Sequence, residues 1–279
     1  MNLFTKNCLR ISGIVMFLGF VFICIAKAGG ANGMAMNGSG LDLQSEYDAE
    51  ITSIKIELNI GNVKIKRGET FAIDATNMNK KTFSSFVDDD VWTIKDNGNG
   101  FQVFGFDIPF LDNNNSNYSV VIYVPDDFKP EDLSIKLGAG RVELCDMEAT
   151  NVVFEMGAGE LFANQLVIKE RSDLHVGAGK IGIKDLTASS VDLDCGLGEM
   201  DIKGDIRGES KASCGLGHIS LRLSEPESRY EFKVSCGLGS VKLNKASYSF
   251  ISDSKIKGDD AEYYFKVECG MGSVEVFND

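Results

Sequence analysis

Proline is scarce: four residues in 279, against 30 glycines. With 43% hydrophobic and 25% charged residues, that balance excludes a collagen-like chain and a disordered tail. Histidine occurs twice, and the seven cysteines include no Cys-x-x-Cys pair and no Cys–His spacing of the kind that holds zinc. Long apolar runs are missing apart from one near the N-terminus, which excludes a polytopic membrane protein. Basic residues are also in short supply. Three of the 28, Lys6, Arg10 and Lys27, lie in the first 41 residues, which contain no acid. The remainder carries 25 basic and 41 acidic residues, a net of −16. A body that acidic repels a phosphate backbone, so no nucleic-acid partner is expected.

The one long apolar run, Ile11 to Ala26, follows Lys6 and Arg10 and ends at Lys27. Basic residues before the run predict a cytoplasmic N-terminus and an exported C-terminal body. Its 16 residues fall between a spanning helix of about 20 and a signal-peptide core of about 7–15. Residues 1–28 are therefore read as a transmembrane anchor, single-pass at the cell membrane. If Ala26-Lys27-Ala28 is a cleavage site, they are instead a signal segment and the body is secreted. Residues 29–44 read as a Gly-rich linker.

The abundant glycines are periodic. Seven segments align without gaps: LGAGRVEL from Leu137, MGAGELFA from Met156, VGAGKIGI from Val176, CGLGEMDI from Cys195, CGLGHISL from Cys214, CGLGSVKL from Cys236 and CGMGSVEV from Cys269. Their first glycines are Gly138, Gly157, Gly177, Gly196, Gly215, Gly237 and Gly270, at spacings of 19, 20, 19, 19, 22 and 33. Self-similarity at such a period marks a repeat architecture. Within the fourth copy, Val191, Leu193, Cys195 and Leu197 alternate with polar residues or glycine, and Met200 and Ile202 continue the apolar set after a one-residue phase shift. Alternation at period two is the mark of a strand with one buried face, and the shift marks a bend. Each copy thus reads as strand, Gly-x-Gly corner, strand.

Stacked copies align three apolar ladders: the residue before the first glycine, the residue between the glycines, and the residue two past the second glycine. The expectation is that all three are buried. A period near 19 is too short for strand–helix–strand units, which need about 30 residues. The fold class predicted is all-β: a single-stranded β-helix or β-solenoid of about seven 19–20-residue rungs spanning residues 131–279, roughly 30 Å tall. An N-terminal β module and one transmembrane helix precede it. The long last spacing holds an insertion near 245–263, read as a hairpin covering the open edge.

Residues 45–130 are read as that β module, capping the first rung, because no Gly/Ser- or Pro-rich linker separates the parts. Leu58–Ile65 (LNIGNVKI) looks like a degenerate copy of the repeat. Phe71–Thr76, Val91–Lys95, Phe101–Phe106 and Tyr118–Val124 read as strands. Asn97–Gly100 reads as a hairpin turn and Asp112–Asn117 as a polar loop tip.

Candidate chemistry is sparse. Cys195, Cys214, Cys236 and Cys269 share one ladder position and read as a column of buried free thiols acting as small apolar groups. Adjacent rungs bring Cα atoms to about 4.8 Å, within disulfide range, but stacked side chains point the same way. Asp192, Asp194, Glu199 and Asp201, with Glu143 and Glu160, lie outward; paired carboxylates hydrolyse glycosides or bind calcium, but here they are mixed with Lys180, His218, Ser240 and Lys242, as on a solvated face. His175 and His218 also point outward, with no nucleophile in a recognisable motif. No catalytic residue, metal site or cofactor is predicted. Outward Val153, Phe162 and Tyr264 are candidates for a contact patch.

The serial motifs LGAGRVEL, MGAGELFA, VGAGKIGI and CGLGSVKL behind an N-terminal membrane segment resemble the bacterial putative-adhesin domain family. LNIGNVKI and YSVVIYVPDDF also look like its pattern, and the resemblance covers about residues 50–279. It implies a β-helix or solenoid and, through the family's name, adhesion; some relatives look like envelope stress-response proteins of Gram-positive bacteria. It supplies no catalytic residues. Cysteine in four CGxG copies departs from the usual Ser, Thr or aliphatic residue. The function expected is non-enzymatic binding or scaffolding at the cell envelope, outside the cytoplasm. Its partners would be the membrane, through the N-terminal helix, and an envelope polymer or protein not named by the sequence. The alternatives are an envelope-stress sensor acting through a membrane protein and, more remotely, a polysaccharide-active enzyme.

Overall fold

The computed structural model describes residues 41–96, 101–103, 106–108, 118–249 and 252–278. The apolar run at 11–26, the turn at 97–100 and the loop tip at 112–117 lie outside the described residues. Among the described residues no helix is long and apolar enough to cross a membrane.

The chain divides into two units. The smaller contains an antiparallel pair, β6 (Phe101–Val103) and β7 (Phe106–Ile108), where one continuous strand was expected. The larger is built on a single 22-stranded sheet. Its unit is a bent rung: a first limb, a Gly-x-Gly corner and a second limb. Two rungs run through the corner as one long strand, β2 (Ser53–Gly68) and β9 (Asp132–Leu144). The following rungs are β11 (Asn151–Met156) with β12 (Glu160–Ile168), β13 (Ser172–Val176) with β14 (Lys180–Ala188), β15 (Asp192–Cys195) with β16 (Glu199–Ile206), and β17 (Glu209–Cys214) with β18 (His218–Leu223). The last two in sequence are β19 (Tyr230–Cys236) with β20 (Ser240–Leu243), and β23 (Tyr263–Cys269) with β24 (Ser273–Asn278). A short strand, β10 (Met147–Ala149), pairs with the end of β12.

Neighbouring rungs pair in parallel and in register, so equivalent side chains stack. Inside the first limb, Ile56, Ile135, Phe154, Leu174, Leu193, Ala212, Val267 and Val234 form one unbroken column, each nearly or fully inaccessible to solvent. Inside the second, Val63, Val142, Leu161, Ile181, Met200, Ile219, Val274 and Val241 do the same. Each large apolar side chain so buried stabilises the stack by about 1.5–3 kcal/mol.

The order of rungs departs from the order of the sequence. β17 pairs with β23, and β23 with β19; β18 pairs with β24, and β24 with β20. The last copy is therefore an interior rung, lying between the fifth and sixth. The long spacing before it makes this possible. It holds β21 (Ala246–Ser249) and β22 (Ser252–Lys257), which run antiparallel along the outer edges of β20 and β19. The chain thus crosses the end of the stack and returns inside it.

The first half joins the stack directly. β5 (Val91–Asp96) and β8 (Ser119–Pro125) pair in parallel with the two limbs of β2 and extend both ladders. Beyond them lie β4 (Phe83–Asp88), antiparallel to β5, and β3 (Phe71–Met78), antiparallel to β8; β1 (Leu41–Tyr47) pairs with β3. Among the described residues, Leu41–Tyr47 is strand, overlapping the stretch expected to be linker, because Leu41, Leu43 and Tyr47 alternate toward the core. β4 was not anticipated from the sequence. It is held by aromatic packing at this end: Trp92 is fully buried, its ring 4.9 Å from that of Tyr47 and 6.1 Å from that of Phe71. Ser85 of β4 accepts hydrogen bonds from Trp92 Nε1 at 3.0 Å and from the Tyr47 hydroxyl at 2.7 Å.

Candidate functional site

The corner is where the stack shows apolar side chains to solvent. The residue before the first glycine is buried in all seven copies, from Leu137, Met156 and Val176 to Cys195, Cys214, Cys269 and Cys236, as is Leu58, which precedes Asn59 at the equivalent place in β2. From the rung of Val176 onward the next four residues turn the chain without returning inward. The residue between the glycines was expected to form a third buried ladder, but in the later rungs it points out. Leu216 is 40% exposed, Met271 49% and Leu238 64%; Leu197 is half-buried, and Ala158 and Ala178 are exposed. The physical reason is how the chain takes the corner: β9 runs through it as one strand and keeps Ala139 buried, whereas in the later rungs the strand breaks there, the residue between the glycines turns out, and the alternation resumes shifted by one, as at Met200 and Ile202.

Both glycines are required by close approach more than by backbone angle. A Cβ on Gly177, Gly196, Gly215 or Gly270 would stand 2.8–2.9 Å from the carbonyl oxygen of the first glycine one rung below. At the second glycine it would also meet a side chain: a Cβ on Gly217, Gly272 or Gly239 lies 2.8 Å from the sulfur of Cys195, Cys214 or Cys269 respectively. Amide-to-carbonyl bonds stitch the corners together, with Gly215 donating to Cys195, Leu216 to Gly196 and Met271 to Gly215, each at 2.8 Å. The ridge Leu197–Leu216–Met271–Leu238 is thus a row of four large apolar side chains at the rung spacing of about 4.8 Å.

Polar grooves flank this ridge. On the second-limb side, a groove of about 610 Å³ runs under Ala158, Ala178, Leu197 and Leu216 and is lined by Glu160, Lys180, Glu199 and His218. Lys180 Nζ meets Glu199 Oε1 at 2.7 Å, and that hydrogen bond raises the lysine pKa above its ordinary value. His218 Nδ1 lies 2.7 Å from the Ser273 hydroxyl. On the first-limb side, a groove of about 480 Å³ is lined by Asp194, Ser213, Ser235, Asp253 and Glu268. Glu268 pairs with Lys266 at 2.6 Å and Lys211 at 3.3 Å, which hold its carboxyl below the ordinary range.

The outward carboxylates suspected from the sequence are spread along the ladders. Glu143 faces Lys64 at 3.0 Å and Arg141 at 2.9 Å, Glu160 faces Arg141 at 3.7 Å, and Asp194 faces His175 at 3.7 Å. Asp192 and Asp194 lie two residues apart on β15, both exposed. Of the suspected contact patch, Phe162 lies under the Arg141 guanidinium at 4.8 Å; Val153 and Phe162 are half-buried on opposite limbs of one rung, and Tyr264 is half-buried on the rung of the last copy. Arg229, not singled out from the sequence, pairs with Glu262 and the Tyr263 hydroxyl at 2.7 and 2.8 Å and tethers the return of the last rung.

The four ladder cysteines are reduced and buried, and stack in the order Cys195, Cys214, Cys269, Cys236. A hydrogen bond from the Cys214 thiol holds Cys195 below the usual thiol range, while the same contact and burial push Cys214 up. Burial pushes Cys269 up to about 11 and raises Cys236 too.

No curated protein sequence matches the chain. Among solved structures, it is similar to one described as a putative adhesin from Bacteroides fragilis, at 12% identity and a TM-score of 0.48, covering 88% of this chain and 100% of that one. A putative cell adhesion protein from Clostridium sporogenes follows at 14% and 0.33, covering 86% and 100%. A putative lipid binding protein from Parabacteroides distasonis stands at 11% and 0.41, covering 87% and 99%. The family evidence is of a different kind. The Toastrack DUF4097 family matches residues 51–265, from the rung of β2 to the first limb of the last copy. That span takes in six of the seven glycine corners, and the chain belongs to the Toastrack DUF4097 family.

Proposed function

We propose that this chain is a non-enzymatic binding and scaffold module of the bacterial cell envelope, its body outside the cytoplasm and its N-terminal segment serving as anchor or export signal. The observation that carries the reading is the corner ridge. Leu216, Met271 and Leu238 stay exposed on consecutive rungs although the sheet beside them buries almost every other large apolar side chain. Large apolar residues held on a rigid backbone in an evenly spaced row suit multivalent contact, where each rung adds a small increment. The flanking grooves offer alternating carboxylate, lysine, histidine and hydroxyl groups, which suit an adhesin or wall scaffold binding a repeating polymer. The apolar character of the ridge itself favours a second reading, a sensor docking one specific membrane protein.

Residues 41–279 co-sedimented with isolated cell walls, beside a pull-down from solubilised membranes, separate the two. Saturable wall binding that weakens at least tenfold in Leu216→Ser/Met271→Ser/Leu238→Ser supports the adhesin reading. Enrichment of one membrane protein, lost in the same variant, supports the sensor. Turnover of an envelope glycan abolished by Asp192→Asn would overturn both.

A further inference from the structure

We propose that the cysteine column binds Cu(I), one ion held in a line between the sulfurs of Cys195 and Cys214 and a second between those of Cys269 and Cys236. This stands independently of what the ridge contacts. Packing alone does not call for sulfur. Leu137, Met156 and Val176 fill the same position in earlier rungs with 2% exposure each, so an aliphatic side chain fits. Sulfur nevertheless occupies four consecutive rungs, in direct register from Cys195 through Cys214 and Cys269 to Cys236.

The spacing selects the ligand. Registered rungs repeat at about 4.8 Å with side chains pointing the same way, so the sulfurs do not turn toward one another as a disulfide bond of about 2.05 Å requires. Two metal–sulfur bonds of about 2.3 Å laid end to end span about 4.6 Å. Among the described residues no three Cys, His, Asp or Glu side chains converge to hold a metal ion. A tetrahedral zinc site is thereby excluded there, and a soft cation content with two thiolates remains, which is Cu(I). The surroundings suit it. The sulfurs of Cys195, Cys214 and Cys269 point along the stack toward Gly217, Gly272 and Gly239, where no Cβ intrudes. The backbone of Gly198 faces the Cys195 sulfur, that of Gly217 and Ser273 faces Cys214, and that of Ser240 faces Cys269, each favouring the buried thiolate, while the Cys195 thiol itself donates to the His218 carbonyl at 3.8 Å. The groove on the same rungs carries Asp194, Asp253 and Glu268, which raise the local concentration of cations. Each ion replaces two S–H protons, which leave to solvent; two S–Cu bonds form, and no electron is transferred.

The test uses the full chain with Cys8, Cys24 and Cys145 replaced by Ser, reduced and titrated anaerobically with Cu(I) held by a colorimetric chelator. The expected result is withdrawal of two equivalents of copper. Cys195→Val, which copies the natural residue of the rung before at Val176, should withdraw one, and Cys195→Val/Cys269→Val, which leaves no two cysteines on adjacent rungs, none; thermal unfolding of each variant checks the fold, with Cys195→Ala as the alternative if valine does not fit. X-ray absorption of the loaded chain should show two collinear sulfur neighbours per copper. Three results would each overturn the proposal: no withdrawal by the four-cysteine chain, withdrawal undiminished in the double variant, or loss of titratable thiols with no copper retained.

Discussion

Gly217 condenses the geometry of the corner into one position. Its missing side chain leaves room on one side for the Gly198 carbonyl and on the other for the Cys195 sulfur, 2.8 Å from where a Cβ would stand. Neither neighbour can retreat, because the first is backbone and the second is fully buried. Gly217→Ala should therefore lower stability by about 1–3 kcal/mol in urea unfolding, the usual cost of overpacking. Gly182→Ala is the contrast. Its Cβ would meet the Phe162 ring at 3.1 Å, a side chain that can swing aside, and the change should stay within about 1 kcal/mol. Ser85 is a second sensitive point. Its hydroxyl accepts from both Trp92 and Tyr47, so Ser85→Ala strands two donors beneath β4 and should cost about 1–3 kcal/mol by the same measurement. The buried side of the corner was legible in the sequence, since Cys, Val, Met or Leu recurs before each first glycine. The exposed side was not: a leucine between two glycines continues the alternation on paper, and only the break of the strand at the bend turns it outward. The later copies do carry a signal, because Ala139, Ala158 and Ala178 give way to Leu197, Leu216, Leu238 and Met271.

Single strands here gain their stability from neighbours on both sides, so the two ends of the stack need cover. β21 and β22 supply it at one end by pairing along β20 and β19, and β3 with β4 at the other. Removing residues 245–258 with a short Gly-Ser replacement should leave β19 and β20 with unpaired edges. Light scattering coupled to size exclusion should then show concentration-dependent association absent from the parent. Rung-to-rung contacts also carry a pH signature. Glu148 on β10 meets Lys129 and Lys169, each at 2.7 Å, and hydrogen bonds from the two lysines lower its pKa from 4.5 to about 2. A depressed folded-state value means that the contribution is complete above pH 4.5 and disappears as pH falls toward 2. Stability of Glu148→Gln should thus fall less than that of the parent between those limits, as read from urea midpoints across pH. The insertion was legible as alternating strand, but not the pairing of β21 with β20 and of β22 with β19 in place of a hairpin between the two. β4 was not, because Phe83–Asp88 mixes serines with aromatics and its pairing with β5 is set by tertiary context.

At the scale of the molecule, period and register were readable from seven glycine motifs, because each copy needs the next to bury its apolar face. The membership of β2, β5 and β8 in the same ladders was harder to see. Only Asn59-Ile60-Gly61 keeps a trace of the corner, and β5 and β8 are separated in sequence by residues 97–118, so they close a rung without a motif. The interior place of the last copy was invisible, since identical motifs pair equally well with either neighbour. That indifference bears on assembly. Once Leu243 has left the ribosome, the rung of β19 and β20 finds β17 and β18 uncovered, with a matching pattern and nothing yet made to lie between them. The premature pairing is productive in every local respect and wrong only in sequence of addition. The residues synthesised last must then prise the two apart or arrive first. Refolding of the whole chain should accordingly show a slow phase that a chain ending at Ser249 lacks, and stopped-flow fluorescence of Trp92 paired with hydrogen exchange at β17 would separate the two time courses.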